Sequence, residues 1–318
     1  MGEEELNPFQ ILFMGTPDFA ATILDKLLQW SGARVAGVIT QPDRRAGRGK
    51  TIHPPPVKQL ARDAHLPLLQ PSSLHSNAVS AFLEDIQANL LIVAAYGLLI
   101  PKPILTCPAF GALNVHASLL PKYRGAAPIQ RALIHGETVT GITIMQMQAG
   151  LDTGPILYQK ALAIGFDDTA QSLHDQLALL GGDCLIHTLQ AWDSLRPVQQ
   201  DPDKASYAPK LCKQDGHIDW NQKALAVHNR IRGVHPRPGA FFFWRPDNDR
   251  ESLRLTVFPG RIGERIAQAV PPGRICGLHG SSLAISCLDR YYLIDTLQPA
   301  SGRVMSASEF SRGYCPLL

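Results

Sequence analysis

The sequence predicts an α/β chain in which a doubly wound parallel sheet is followed by a small β-barrel. Three observations carry the prediction. Apolar runs of strand length alternate with helix-period segments as far as Trp192. Residues 196–215 are polar and hold Pro197, Pro202, Pro209 and three lysines. Beyond them come about five short β-like segments. Alternating strands and helices pair in parallel because each helix carries the chain back along the sheet. Closely spaced strands pair with their neighbours in sequence instead.

Residues 10–14 form an apolar run that Gly15 ends. Thr16 is placed to cap a helix, and Pro17 suits a first helical position, where no backbone donor is needed. Phe19, Ile23, Leu24, Leu27 and Leu28 recur at helical spacing, Ser31 and Gly32 stop the helix, and 35–40 supplies the next strand. Such a unit has a right-handed crossover. Residues 89–95, 112–118 and 141–147 are further strands, and Asp168 and Thr169 open a helix with Leu173, Leu177, Leu180, Cys184 and Leu185 on one side. The expected organisation is a Rossmann-like domain over 1–195, a linker over 196–215 and a second domain over 216–318. The second domain is expected to hold one helix near 222–232 and strands at 240–244, 253–258, 273–278, 283–288 and 291–297. An oligonucleotide-binding-like barrel is one arrangement of those strands.

With 318 residues, 45% hydrophobic and 18% charged, the chain has core material for two domains and is not disordered throughout. Its longest apolar run, 90–100, falls short of the ~20 residues a bilayer span requires. The start, Met1-Gly-Glu-Glu-Glu, is acidic and argues against a secretory or organellar leader. The six cysteines stand apart with no Cys-x-x-Cys pair, so the expectation is a cytoplasmic protein with free thiols and no metal site. Charge is uneven: 14 Lys and Arg face 16 Asp and Glu up to residue 196, and 16 face 11 after it. A basic second half is compatible with a polyanionic partner, and equally with an ordinary solvated surface.

No nucleotide fingerprint is present. Gly15-Thr-Pro-Asp-Phe19 is neither G-x-G-x-x-G nor a phosphate loop, which disfavours NAD or ATP despite the fold. The informative segment is 111–121. Asn114 and His116 are two apart on a strand, so both side chains leave one face, near the end where open α/β sheets bind ligands. An amide donor and an imidazole suit an oxygen that becomes negative during acyl transfer. A polar strand end satisfied by loop backbone shows the same spacing. Asp152 lies in a Gly-rich loop after the next strand, where it is either a turn residue or a carboxylate that reaches His116 and favours the imidazolium. Residues 122–130 make a lid or merely lead into a helix. Residues 41–58 hold five basic side chains and one acid on a connection far longer than the usual ~2–6 residues. That loop is either a phosphate-contacting element or a solvated mobile segment.

Together these segments resemble the methionyl-tRNA formyltransferase family over almost the whole chain. The motifs are Met14-Gly-Thr-Pro-Asp-Phe19, Thr40-Gln-Pro-Asp-Arg44 with Ala46-Gly-Arg-Gly-Lys50, Val93-Ala-Ala-Tyr-Gly97, Asn114-Val-His-Ala-Ser-Leu-Leu-Pro121, Arg124-Gly-Ala-Ala-Pro-Ile-Gln-Arg131, Thr143-Ile-Met-Gln-Met147 and Gly150-Leu-Asp-Thr-Gly154. Asn-x-His, Ser-Leu-Leu-Pro and Leu-Asp-Thr-Gly are shared with the wider 10-formyltetrahydrofolate formyltransferase superfamily. The basic loop and the extra C-terminal domain mark the tRNA-directed member. Two departures stand out: Ala117 replaces a frequent Gly, and Lys50 is a single Lys where a pair is common.

The resemblance implies formyl transfer from 10-formyltetrahydrofolate to the α-amine of methionyl-initiator tRNA, without a metal, by a monomer. It implies Asn114, His116 and Asp152 as catalytic residues, and Ser118, Leu119, Leu120, Pro121, Tyr96 and Gly97 as folate contacts. It implies Arg44, Arg45, Arg48 and Lys50 at the tRNA acceptor end, with Lys210 and Lys213 along its flank. The rivals are a formyltransferase acting on a sugar nucleotide or other small amine, and a non-catalytic RNA-binding protein.

Overall fold

The computed structural model describes residues 9–46, 51–245, 251–268 and 270–314. They form two units. The first comprises 9–126, 139–163 and 174–208, and the second 127–138, 164–173 and 209–314.

Burial on both faces makes the apolar runs of the first unit into sheet strands. Its seven-stranded sheet has the order Ile156–Ala163, Val139–Gln146, Ala112–His116, Leu90–Ala94, Gln10–Gly15, Arg34–Ile39, Leu68–Leu69. Leu12, Met14, Leu91 and Val93 pack on one side with Val79 and Phe82 of helix Asn77–Ile86. Alternate residues Ile11 and Phe13 are fully buried on the other side. Five strands are parallel, but Val139–Gln146 runs antiparallel to Ala112–His116, and Ile156–Ala163 antiparallel to it in turn. The sequence places 141–147 in the parallel series, and the structure corrects this. The helix before it, Pro128–Ile134, has only seven residues and packs on helix Ala224–Gly233 within the second unit. It never carries the chain back along the sheet, so the chain re-enters from the edge it left, with His116 opposite Thr143.

Two other expectations change. Thr16 does not cap the first helix, Asp18–Gln29, whose N-cap is Pro17. Its hydroxyl donates instead to the Tyr96 carbonyl at 3.1 Å, tying the ends of two neighbouring strands. The stretch 196–215, expected as a linker, is built into both units. Val198 bridges Ile156, and Tyr207–Ala208 pairs with Arg124–Gly125 in the first unit. In the second, Asp215 forms an ion pair with Arg131, 2.8 Å apart. Proline and lysine content masked the two strand pairings because they are made by backbone groups.

The second unit has two antiparallel sheets around one core that includes Trp220, Ile231, Phe242, Leu255, Ile285, Tyr292 and Phe310. The sequence misses Arg261–Arg265, whose polar residues hide its strand character, and the closing helix Ala307–Tyr314. The run expected as one strand at 291–297 is two, Arg290–Ile294 and Thr296–Pro299, and each belongs to a different sheet. Among the described residues no helix is long and apolar enough to cross a membrane.

His228 lies in the second core. Its Nε2 donates to the Phe166 carbonyl at 3.0 Å, and its Nδ1 lies 3.3 Å from the Tyr292 hydroxyl. Burial lowers its pKa, as it does that of His235. A base held neutral in the fold stabilises it fully above the unfolded value of ~6.5, and that contribution is lost as pH falls through the lower folded value. The midpoint of thermal unfolding is therefore expected to fall as pH drops from 7 to 5, and to fall less in His228→Gln. An equal fall in both proteins, followed by circular dichroism, contradicts this role.

Candidate active site

Strand Ala112–His116 is hydrogen-bonded on both sides, which makes it a rigid platform. Alternation buries Leu113 and Val115 and sends Asn114 and His116 to the other face. The Asp152 loop arrives from an unexpected direction. Because Val139–Gln146 is antiparallel, it ends beside Leu113, at the start of strand Ala112–His116 and not at its far end. The chain then folds back. Leu113 to His116 spans roughly 10 Å of strand, well within reach of the six residues from Gln146 to Asp152. The turn closes at Gly154, where a Cβ would lie 1.8 Å from the Gln146 carbonyl oxygen.

Asp152 takes a left-handed conformation with φ of 52°. Its Oδ1 accepts from Asn114 Nδ2 at 3.3 Å, and its Oδ2 from the Gly125 backbone N–H at 2.8 Å. The same Oδ2 lies 3.6 Å from His116 Nδ1. His116 is 6% exposed, and its Nε2 is 2.9 Å from the Tyr123 carbonyl oxygen. A carbonyl only accepts, so Nε2 carries a hydrogen and Nδ1 is the nitrogen that meets Asp152. Asn114 turns one amide hydrogen to the carboxylate and keeps the second for another acceptor. Tyr123 is itself left-handed, with φ of 62°, a costly conformation for an aromatic residue. Ser206 holds it by accepting its backbone N–H at 2.9 Å. The three side chains can thus stabilise a developing oxyanion and hold a proton carrier close by.

The other expected residues fall differently. Ser118 is fully buried and donates its hydroxyl to the Lys122 carbonyl at 2.7 Å. Leu120 is buried too; its N–H goes to Thr143 Oγ1 at 3.1 Å, and its carbonyl accepts from Gln159 at 2.8 Å. Their polar groups are therefore committed to shaping the turn, which ends in a cis Leu120–Pro121 bond; Leu119 and Pro121 stay partly exposed. Tyr96 and Gly97 lie past the end of the neighbouring strand. The Tyr96 hydroxyl is buried without a partner, and burial pushes its pKa up. Leu98 and Leu99, directly after it, are exposed.

The basic loop is a hairpin in which Arg44–Ala46 pairs with Thr51–His53. Arg44 donates to Gln41, and Gln41 donates to the Tyr96 carbonyl, which anchors the hairpin base to the Tyr96 turn. Lys58 is committed to Asp43 at 2.6 Å. Arg45 is placed by its backbone pairing with Ile52, while Arg48 and Lys50 lie outside the described residues. In the second unit, Lys210 is exposed, and Lys213 lines a cleft with His217, Phe241, Phe243 and Arg254. Among the described residues no three His, Cys, Asp or Glu side chains converge as metal ligands.

Sequence reasoning missed the supporting groups: the Tyr123 carbonyl, the Gly125 N–H and Gln200. Two of the three are backbone atoms, which leave no residue-type signal. Gln200 sits in the presumed linker.

Known proteins and family models resemble this chain along nearly its whole length. Residues 9–189 match the family model described as formyl transferase, and 210–315 that of the formyl transferase C-terminal domain. The chain is 49% identical over 312 residues to the methionyl-tRNA formyltransferase of Nitratidesulfovibrio vulgaris, covering 98% of this chain and 94% of that one. It is 44% identical to the methionyl-tRNA formyltransferase of Acidithiobacillus ferrooxidans, covering 96% of each. Among solved structures, the N-formyltransferase from Helicobacter canadensis in complex with folinic acid and dTDP-3-aminofucose has the same fold, with a TM-score of 0.64 and 16% identity over 90% of this chain and 98% of that one. With both family models matched in order and such identity running nearly end to end, the chain belongs to the methionyl-tRNA formyltransferase family.

Proposed function

We propose that this chain transfers the formyl group of 10-formyltetrahydrofolate to the α-amine of methionyl-initiator tRNA, acting as a cytoplasmic monomer. The observation that carries the reading is the convergence of Asn114, His116 and Asp152 on one strand face in a chain of this family. The unprotonated amine attacks the formyl carbon, and the formyl oxygen becomes an oxyanion. The second hydrogen of Asn114 Nδ2 points to that oxygen. The imidazolium Nδ1–H of His116 is the other donor, because Nε2 is already committed to Tyr123. The amine nitrogen then loses a proton to a water oriented on the free lone pairs of Asp152. The bond from carbon to the folate N10 breaks, N10 takes up a proton, and the products are the formylated amide and tetrahydrofolate.

The exposed Leu98 and Leu99 beside Tyr96 offer apolar surface to the folate ring, with Leu119 and Pro121 at its border. Arg44, Arg45, Arg48 and Lys50 act at the tRNA acceptor end, and Lys210 and Lys213 along its flank.

The decisive experiment supplies 10-formyltetrahydrofolate with initiator methionyl-tRNA, elongator methionyl-tRNA, or a free amino sugar nucleotide, and assays N-formyl product. Formylation of the initiator in preference is the expected result, with a KM for tRNA that rises steeply with salt. Formylation of the sugar amine alone, or no product from any acceptor, overturns the reading.

A further inference from the structure

We infer that Gln200 is a positioning residue for formyl transfer: its amide clamps the Asp152 loop to the Tyr123–Gly125 segment and so sets the approach of Asp152 to Asn114 and His116. This inference rests on the proposed function for its kinetic reading. Its structural content is independent of the substrate.

The Gln200 side chain uses its full hydrogen-bonding capacity. Its Nε2 donates to the Asp152 carbonyl at 2.8 Å and to the Gly154 carbonyl at 2.7 Å. Its Oε1 accepts from Arg124 Nε at 3.0 Å and from Arg124 Nη2 at 2.7 Å. A primary amide has two hydrogens and two lone pairs, so nothing remains for a ligand. Its orientation is also fixed. Carbonyls only accept and a guanidinium only donates, so a flipped amide would lose all four bonds.

The two ends of this clamp meet again at the site. Arg124 precedes Gly125, whose N–H holds Asp152 Oδ2, and follows Tyr123, whose carbonyl holds His116 Nε2. Asp152 is thereby gripped twice, by its own carbonyl through Gln200 and by its carboxylate through Gly125. Gln200 itself rides on anchored chain. Val198 exchanges two backbone bonds with Ile156, each 2.8 Å, and Ser206 accepts from Tyr123. Asp152 needs this support because its left-handed φ is not one its own backbone favours. A shift of about 1 Å in a catalytic group costs up to ~10² in rate.

Gln200→Glu separates positioning from mere structure. The carboxylate keeps a partner for Arg124 but turns an acceptor toward two carbonyl oxygens, so the Asp152 end of the clamp is lost while the fold remains. The expected result is a kcat about 10-fold lower, KM for folate and for methionyl-tRNA unchanged within about 2-fold, and a melting temperature close to that of the wild type. Gln200→Met, which loses both ends, is expected to fall further in kcat; if it does not fold, the Glu variant carries the test alone. The imidazole 15N shifts of His116 give a readout that needs no turnover, and they are expected to differ between wild type and Gln200→Glu. A wild type that formylates no methionyl-tRNA defeats the functional reading and leaves the shifts to decide the clamp. A Glu variant with wild-type kcat, a loss confined to KM, or unchanged His116 shifts overturns the inference.

Discussion

Asp152→Asn is expected to lower kcat for formyl transfer by about 10³-fold, with little change in KM for either substrate. The two side chains have nearly the same size, so the change is one of charge and hydrogen-bond polarity. In the structure both carboxylate oxygens accept, one from Asn114 Nδ2 and one from the Gly125 N–H, and the second also faces His116 Nδ1. An amide has one oxygen. Whichever way it turns, an NH2 meets either the Asn114 amide or the Gly125 N–H, a donor against a donor. Asn114 then rotates to find an acceptor, or Gly125 moves and takes the Tyr123 carbonyl with it. The negative charge opposite His116 disappears at the same time, and with it the lone pairs to which the proposed mechanism assigns a proton-accepting water. All of these losses fall on the tetrahedral intermediate, which is why the effect belongs in kcat. Steady-state kinetics with both substrates saturating decide the matter. A variant that turns over within 10-fold of wild type, or that loses only affinity, places Asp152 outside the reaction.

How much of this site the sequence carried depended on the kind of atom involved. Asn114 and His116 were legible because a two-residue spacing on a strand fixes a shared face. Asp152 was legible as a residue, but its route was not. A parallel partner strand would have delivered it to the lip of the sheet, whereas the antiparallel strand delivers it from the opposite end, in a loop that closes behind it at Gly154. That reversal follows from where helix Pro128–Ile134 packs, a tertiary fact with no local signature. Ser118 and Leu120 lie in a shared motif; the Ser118 hydroxyl bonds within the turn, while the Leu120 N–H bonds Thr143 of the neighbouring strand, a partner the motif does not reveal. The presumed linker misled for a related reason. Its composition is that of a solvated connector, while its contacts are made by the Gln200 amide and by backbone groups that composition does not register.

Those backbone groups carry the second large effect. Gly125→Ala is expected to lower kcat by about 10²-fold and to lower the melting temperature as well. Gly125 has φ of 117°, and an added Cβ would lie 2.9 Å from the Ala208 carbonyl oxygen. Alanine therefore meets two costs: a backbone region that L-residues avoid, about 1–3 kcal/mol, and a clash with backbone that cannot rotate away. Relief requires the short pairing between Arg124–Gly125 and Tyr207–Ala208 to open. Opening it withdraws the Gly125 N–H from Asp152 and disturbs the Tyr123 carbonyl that fixes His116. Gly111 supplies the control. Its φ is 75°, but a Cβ there meets nothing within 4 Å, and it precedes strand Ala112–His116 at the end away from His116. Gly111→Ala therefore bears the backbone cost alone and is expected to lose stability while keeping kcat within about 2-fold of wild type. If the two variants lose activity alike, the effect is general softening of the fold. If Gly125→Ala alone loses turnover at a temperature where both remain folded, a main-chain N–H is holding the catalytic carboxylate in place.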